Sequence, residues 1–154
     1  MTTLAGSSSS GSADGVGDMA RFSYPRDVAV SADGTLLFVA DSSNNRIRQV
    51  AIATGAVTTL AGSGSWGSTD GTASAASFYY PIGLAASPDG TLLFVADNYD
   101  GMEYRICQVA IATGAVSTLD ASFSSPSGVA LSPDGALLFL AGDGYHRLQP
   151  LELA

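Results

Sequence analysis

Three carboxylates, Asp97, Asp100 and Glu103, fall within one short stretch, with Gly101 among them to turn the chain. Calcium takes roughly six to eight oxygen ligands, and acidic loops supply them. The spacing argues against such a site, because the alternate positions that a calcium loop uses fall on Tyr99 and Gly101. A solvated loop is the simpler reading, and no metal or cofactor is assigned. His146 is the sole histidine, without nameable partners for a metal site or a triad, so it reads as a loop-end residue. Cys107 is the sole cysteine, which excludes an internal disulfide and leaves the redox compartment open. It stands where Arg48 stands in an earlier copy of the same segment, which predicts a partly exposed thiol without a reactive motif around it. Asp41 followed by Asn45 and Arg46, and Asp97 followed by Arg105, pair acid with base after an apolar run. The expectation is structural: the Asp caps a loop and the Arg braces it. No catalytic residue is assigned. For binding, Trp66 in a glycine-rich stretch is the best anchor, with Tyr99, Met102 and Tyr104 as a second exposed group.

The elements that position these residues come from a repeat, which has to be read before any single residue. Tyr80-Pro81 leads through Ser87-Pro88-Asp89-Gly90 into Leu92-Leu93-Phe94-Val95-Ala96-Asp97. The same run occurs from Tyr24-Pro25 to Asp41, and again from Ser125-Pro126 to Gly142. The Ser-x-Asp-Gly tetrapeptide marks a tight turn, so each run reads as a hairpin. Its return strand is apolar at every position, as in a strand buried on both faces. A third strand follows at Arg46 to Ile52, Arg105 to Ile111 and Arg147 to Leu153. Its imperfect alternation predicts a bulge near Gln49 and Gln108. An Ala-Thr-Gly-Ala turn then leads to a fourth strand, Val57-Thr58-Thr59-Leu60 in the first copy.

Thr3-Leu4-Ala5-Gly6 repeats Thr59-Leu60-Ala61-Gly62, so the chain opens on a fourth strand. One strand, two sets of four and a final three make twelve, or three blades of four. The long polar segments Ser7 to Ser23 and Ser63 to Tyr79 match each other, each with Gly-Ser-x-Asp-Gly, and are expected on one face. The third copy is 14 residues shorter there, with Leu119 only 7 positions before Pro126 against 21 from Leu60 to Pro81.

These residues carry a family likeness. Pro-x-Gly-Val-Ala-x-Ser-Pro-Asp-Gly, then Leu-Phe-Val-Ala-Asp-x-x-Asn-Asn-Arg-Ile-Arg, resembles the NHL repeat. The best match runs from Tyr24 to Gly62, with Asp41, Asn44, Asn45, Arg46 and Ile47 at the motif positions. The second copy departs at an insertion ending in Glu103-Tyr104, and the third has Gly142 for the Asp. The resemblance implies an all-β propeller of four-stranded antiparallel blades, of which this chain would supply three, half of a six-bladed ring. Residues 1–154 then form one domain, with repeats near 7–62, 63–119 and 120–154, and strand 3–6 completing a blade.

Composition bounds the function. A net charge of −8 with six basic residues, all arginine, argues against nucleic acid. No apolar run reaches the ~18 residues of a membrane span, and no signal peptide is visible. The family implies a non-catalytic scaffold that binds a protein or another ligand. Three blades are too few for a ring, so a two-fold homodimer, or other propeller blades, is the expected partner. The competing reading is a metal-dependent hydrolase or lactonase-type propeller, or a fragment of a larger one. The innermost strands, Val28-Ala29-Val30, Leu84-Ala85-Ala86 and Val129-Ala130-Leu131, weigh against it, since only Asp27 beside them is acidic.

Overall fold

The computed structural model describes residues 2–99, 103–120, 123, 125–142 and 146–153. Three antiparallel sheets account for most of them. The first contains β1 (Gly15–Val16), β2 (Pro25–Val30), β3 (Leu36–Asp41), β4 (Arg46–Ala51) and β5 (Ala56–Ala61). The second contains β6 (Gly71–Thr72), β7 (Pro81–Ala86), β8 (Leu92–Tyr99), β9 (Glu103–Ala110) and β10 (Ala115–Asp120). The third contains β11 (Pro126–Leu131), β12 (Leu137–Gly142) and β13 (Arg147–Glu152). Among the described residues the only helical turns are short 3₁₀ pieces at Gly17–Met19, Ser42–Asn44 and Ala73–Ala75. The all-β expectation holds.

The strand count does not. Among the described residues thirteen strands stand where twelve were expected, grouped five, five and three. The additional strands β1 and β6 come from the long polar loops, which fold back to pair with the outer strands β5 and β10. Thr3 to Gly6 is not a strand in this chain. A strand needs a neighbour to share its ladder, and the sheet that would supply one is not beside it. The predicted bulge is also displaced. Ile47 pairs with Ala61 and Arg48 with Thr59, so the extra residue is Leu60 on the fourth strand. Leu119 is its counterpart in the second sheet. Gln49 and Gln108 lie in regular register.

β2, β7 and β11 each form one edge of their sheet and contact one another in succession, so they are the innermost strands. The sheets pack face to face. Side chains alternate along β3, sending Phe38 and Ala40 to one side and Leu37 and Val39 to the other. Phe38, Ala40 and Ile47 bury against Leu84, Leu93 and Val95 of the second sheet. Phe94, Ala96 and Ile106 do the same against Leu138 and Leu140 of the third. β8, packed between the other two sheets, is buried on both faces, which is why its run from Leu92 to Ala96 is apolar throughout.

The hairpin turn is built alike three times. The Ser31 hydroxyl donates to Asp33 Oδ1 at 2.6 Å, and the Thr35 N–H donates to the same oxygen at 3.0 Å. Ser87 with Asp89 and Ser132 with Asp134 repeat the arrangement. These hydroxyls first, then the following N–H groups, hold the three carboxyls below the usual carboxylate range. Their folded-state values lie below their unfolded ones. The stabilisation is therefore complete above the ordinary carboxylate range, and is lost as pH falls through the lowered values. Melting temperature should fall on acidification below about pH 4. A D33N/D89N/D134N variant should flatten that part of the profile, measured by circular dichroism. An unchanged slope would assign the acid sensitivity to other carboxylates.

Candidate functional site

The most concentrated polar chemistry is a buried cluster that occurs twice. In the first sheet Arg48 is completely buried. Its guanidinium donates to Asp41 Oδ2 at 2.7 Å, Asp14 Oδ1 at 2.6 Å and the Arg21 and Ala13 carbonyls at 3.1 and 3.0 Å. It lies over the Phe22 ring, 5.3 Å from the centroid. In the second sheet Arg105 donates to Asp97 Oδ2 at 3.1 Å, Asp70 Oδ1 at 3.0 Å, the Ser68 carbonyl at 3.0 Å and the Ser77 carbonyl. It lies over Phe78, 5.5 Å from the centroid. An arginine this far from water is tolerated because nearly every donor meets an acceptor.

The two arginines do not occupy the same strand position. Asp41 stands opposite Arg46, and Asp97 opposite Arg105, but the partner of Asp41 is Arg48. Arg46, expected to brace Asp41, instead donates to the Ser63 carbonyl at 3.2 Å. Residues two apart on a strand share a face, so the second copy moves its arginine one side-chain step. Cys107 fills the vacated place, since it is opposite Val95 as Arg48 is opposite Val39. The expectation of a partly exposed Cys107 is thus corrected: the thiol is fully buried, because the arginine it replaces is buried too. Burial pushes the Cys107 thiol far up, out of the reactive range. Ellman's reagent should leave the native protein unlabelled and should titrate one thiol after urea denaturation. Rapid native labelling would contradict the burial.

The loop acids Asp14 and Asp70 are the site residues that sequence reasoning missed as partners. The signal was present, because both fall in the repeated Gly-Ser-x-Asp-Gly, read only as a turn. Asp14 also accepts from Thr59 Oγ1 at 3.2 Å, and Asp70 from Thr118 Oγ1 at 2.9 Å. Asp41 and Asp97 tie the segment before each first strand as well. The Ser23 N–H donates to Asp41 at 2.8 Å, and the Tyr79 and Tyr80 N–H groups donate to Asp97 at 3.0 and 2.8 Å. Burial pushes the Asp97 carboxyl up, while these N–H groups and Arg105 pull it down. Asn44 donates to Asp41 Oδ2 at 2.8 Å, and Asn45, in the left-handed region at φ 53°, donates to the Gly64 carbonyl. The arrangement locks each long loop over its sheet. Each of the four acids is bonded to the arginine of its own sheet.

The long loops form the second site. They carry matching backbone bonds: Gly11 N–H to Phe22 O and Gly67 N–H to Phe78 O, Gly6 N–H to Gly17 O and Gly62 N–H to Ala73 O. Trp66 is 56% exposed, and its ring meets that of Tyr79 edge-on, with centroids 4.8 Å apart. The Arg26 guanidinium lies 5.7 Å from the Tyr80 ring centre. Tyr104 is half-buried, whereas Met102, Asp100 and the side chains of Tyr99 and Glu103 lie outside the described residues. His146 is exposed. Within β2, Asp27 is used internally, accepting the Val28 and Leu84 N–H groups at 2.8 Å each. No three His, Cys, Asp or Glu side chains gather among the described residues. No helix in them is long and apolar enough to cross a membrane.

Successive antiparallel sheets, innermost strands side by side and outer strands joined by crossing loops, define a propeller-type repeat fold. Solved structures agree. A chain of a nidogen/laminin complex superposes with a TM-score of 0.70 at 17% identity, over 87% of this chain and 46% of that one. A Bacteroides fragilis protein with a provisional 6-phosphogluconolactonase assignment superposes with a TM-score of 0.61 at 17% identity, over 89% of this chain and 37% of that one. At such identities the likeness concerns the fold alone. Residues 22–50 match the NHL repeat. The human NHL repeat-containing protein 2 is 36% identical over 110 residues, 71% of this chain and 15% of that protein. The chain belongs to the NHL-repeat family. It spans only a small part of the relatives it matches.

Proposed function

We propose that this chain is a non-catalytic NHL-repeat scaffold, a single domain of three propeller blades that binds a protein partner through its long-loop face. The observation that carries the reading is Trp66: a large aromatic, more than half exposed, held by Tyr79 on a loop that buried Asp–Arg–Asp bonding makes rigid. Rigid aromatic anchors are what binding surfaces concentrate. Ser10 occupies the matching place in the first loop, so the anchor is not a demand of the repeat. The inner strands support a non-catalytic role, being aliphatic with their one acid already bonded twice.

Assembly completes the reading. Three blades present two end faces, and two copies related by a two-fold axis make a six-bladed ring. Light scattering on the purified chain should return twice the 15.5 kDa of one copy. A stable monomer at micromolar concentration would overturn the ring. Metal analysis with a lactone and ester hydrolysis screen tests the scaffold. A stoichiometric bound ion with turnover would replace it with the hydrolase reading.

A further inference from the structure

The two long loops share a backbone and differ in a few side chains. Ser7 Oγ accepts the Ser9 N–H at 3.2 Å, and Ser63 Oγ accepts the Ser65 N–H at 3.0 Å. The Gly11 and Gly67 N–H groups each donate to the carbonyl of the matching phenylalanine at 3.1 Å. On this common frame the second loop has Gly64, Trp66 and Tyr79 where the first has Ser8, Ser10 and Ser23. The first loop folds without any of the three, so the repeat does not require them. Gly64 makes room for a neighbour: it stands at φ +88°, and a Cβ on it would meet the Arg46 guanidinium at 2.7 Å. Trp66 and Tyr79 are the edge-on aromatic pair, with the indole more than half exposed.

Two arginines adjoin this group. Arg46 reaches from β4 to the carbonyl of Ser63, in the turn that leads to Trp66. Arg26 reaches from β2 to the ring of Tyr80, which follows Tyr79 in the chain. Acids outnumber bases 14 to 6 in this protein, enough to pair every arginine. Arg48 and Arg105 are each paired with two carboxylates. Arg26 and Arg46 have no carboxylate partner among the described residues: one bonds to a phenol at 3.5 Å and the other to a carbonyl at 3.2 Å, both uncharged. Tryptophan, tyrosine and arginine together are the composition of interface hot spots.

We infer that this group takes an acidic peptide segment of a protein partner, with carboxylates on Arg26 and Arg46 and an apolar side chain on the Trp66 ring. This rests on the long-loop binding face proposed above, and names the chemistry of its partner. A guanidinium holds a carboxylate through paired, charge-assisted N–H bonds, stronger than bonds to uncharged acceptors. Each arginine therefore gives up a weaker contact for a stronger one. Nucleic acid fits less well. It carries a charge at every phosphate, far more than two arginines can meet, and a protein of net charge −8 repels the remainder. A short acidic segment brings few charges, which the two arginines can match.

The test selects a random peptide library, displayed on phage, against the intact protein. Counter-selection uses Trp66→Ser/Tyr79→Ser protein, which places in the second loop the serines that the first already carries. The expected survivors are enriched in Asp and Glu beside an apolar residue. Trp66 is the sole tryptophan, so its emission follows the titration of a synthesised survivor directly. Arg26→Gln/Arg46→Gln protein should bind that peptide about tenfold more weakly or worse, and the dependence of binding on salt should disappear. Survivors without acidic residues, or binding indifferent to both arginines, would overturn the acidic partner and leave the loop face as a protein-binding surface. A selection with no survivors would overturn both. Tighter binding of oligouridylate than of any survivor would also overturn both, in favour of RNA.

Discussion

Replacing Arg48 with alanine should cost about 3–5 kcal/mol of folding stability, because it leaves the Asp41 carboxylate buried without its cation. Asp41 and Arg48 are both sealed from solvent, and the pair is 2.7 Å apart. The same change strips acceptors from use: Asp14 and the Arg21 and Ala13 carbonyls all lose their guanidinium donor. A small domain commonly has about 5–15 kcal/mol in total, so this loss is a large fraction. Arg46→Ala is the control. Arg46 removes one hydrogen bond to the Ser63 carbonyl, worth about 1 kcal/mol. Urea unfolding of both variants measures the difference. Equal losses would mean that the cluster around Arg48 contributes no more than a surface contact.

Phe38→Ala should be comparably damaging, at about 3–5 kcal/mol, through lost burial and the cavity left between the first two sheets. Phe94→Ala should match it at the second junction, where the ring is also enclosed. Phe139→Ala uses the same residue type at the same repeat position, but on an open face. In a dissociated chain it should cost well under half as much, since a partly exposed ring loses less contact. In the assembled ring it should instead weaken association. Unfolding midpoints measured across a dilution series separate the two effects: the Phe139→Ala loss should grow with concentration, while the Phe38→Ala loss should not depend on it. A concentration-independent Phe139→Ala effect as large as that of Phe38→Ala would count against an open third face.

Much of the fold was legible because it is periodic. In each copy the apolar return strand starts two positions after the Gly of the Ser-x-Asp-Gly turn, at Leu36, Leu92 and Leu137, and hairpin chemistry is local. Ser31, Asp33 and Thr35 bond within a few residues of one another, so their arrangement needs no distant partner. The same locality made Trp66 recognisable as an odd aromatic in a polar loop. The NHL likeness rested on the same short-range pattern.

What depended on the tertiary structure involves residues far apart in the chain. Arg48 and Asp14 are 34 positions apart, and Arg105 and Asp70 are 35 apart. Nothing local says that the guanidinium reaches back across β5 to a loop that the sequence presents as turn residues. Sequence register favoured Arg46, since it aligns with Arg105. Only the shared face of alternate strand residues shows that Arg48 and Arg105 converge on one set of partners. Cys107 follows from the same cause, because its environment is set by the sheet packed above it rather than by its neighbours in sequence. The Thr3 to Gly6 segment is the clearest division. Its sequence is that of a fourth strand, but a strand exists only where another backbone offers its hydrogen bonds. The amino acids determine which edge the segment can complete, and the arrangement of sheets decides whether that edge is within reach.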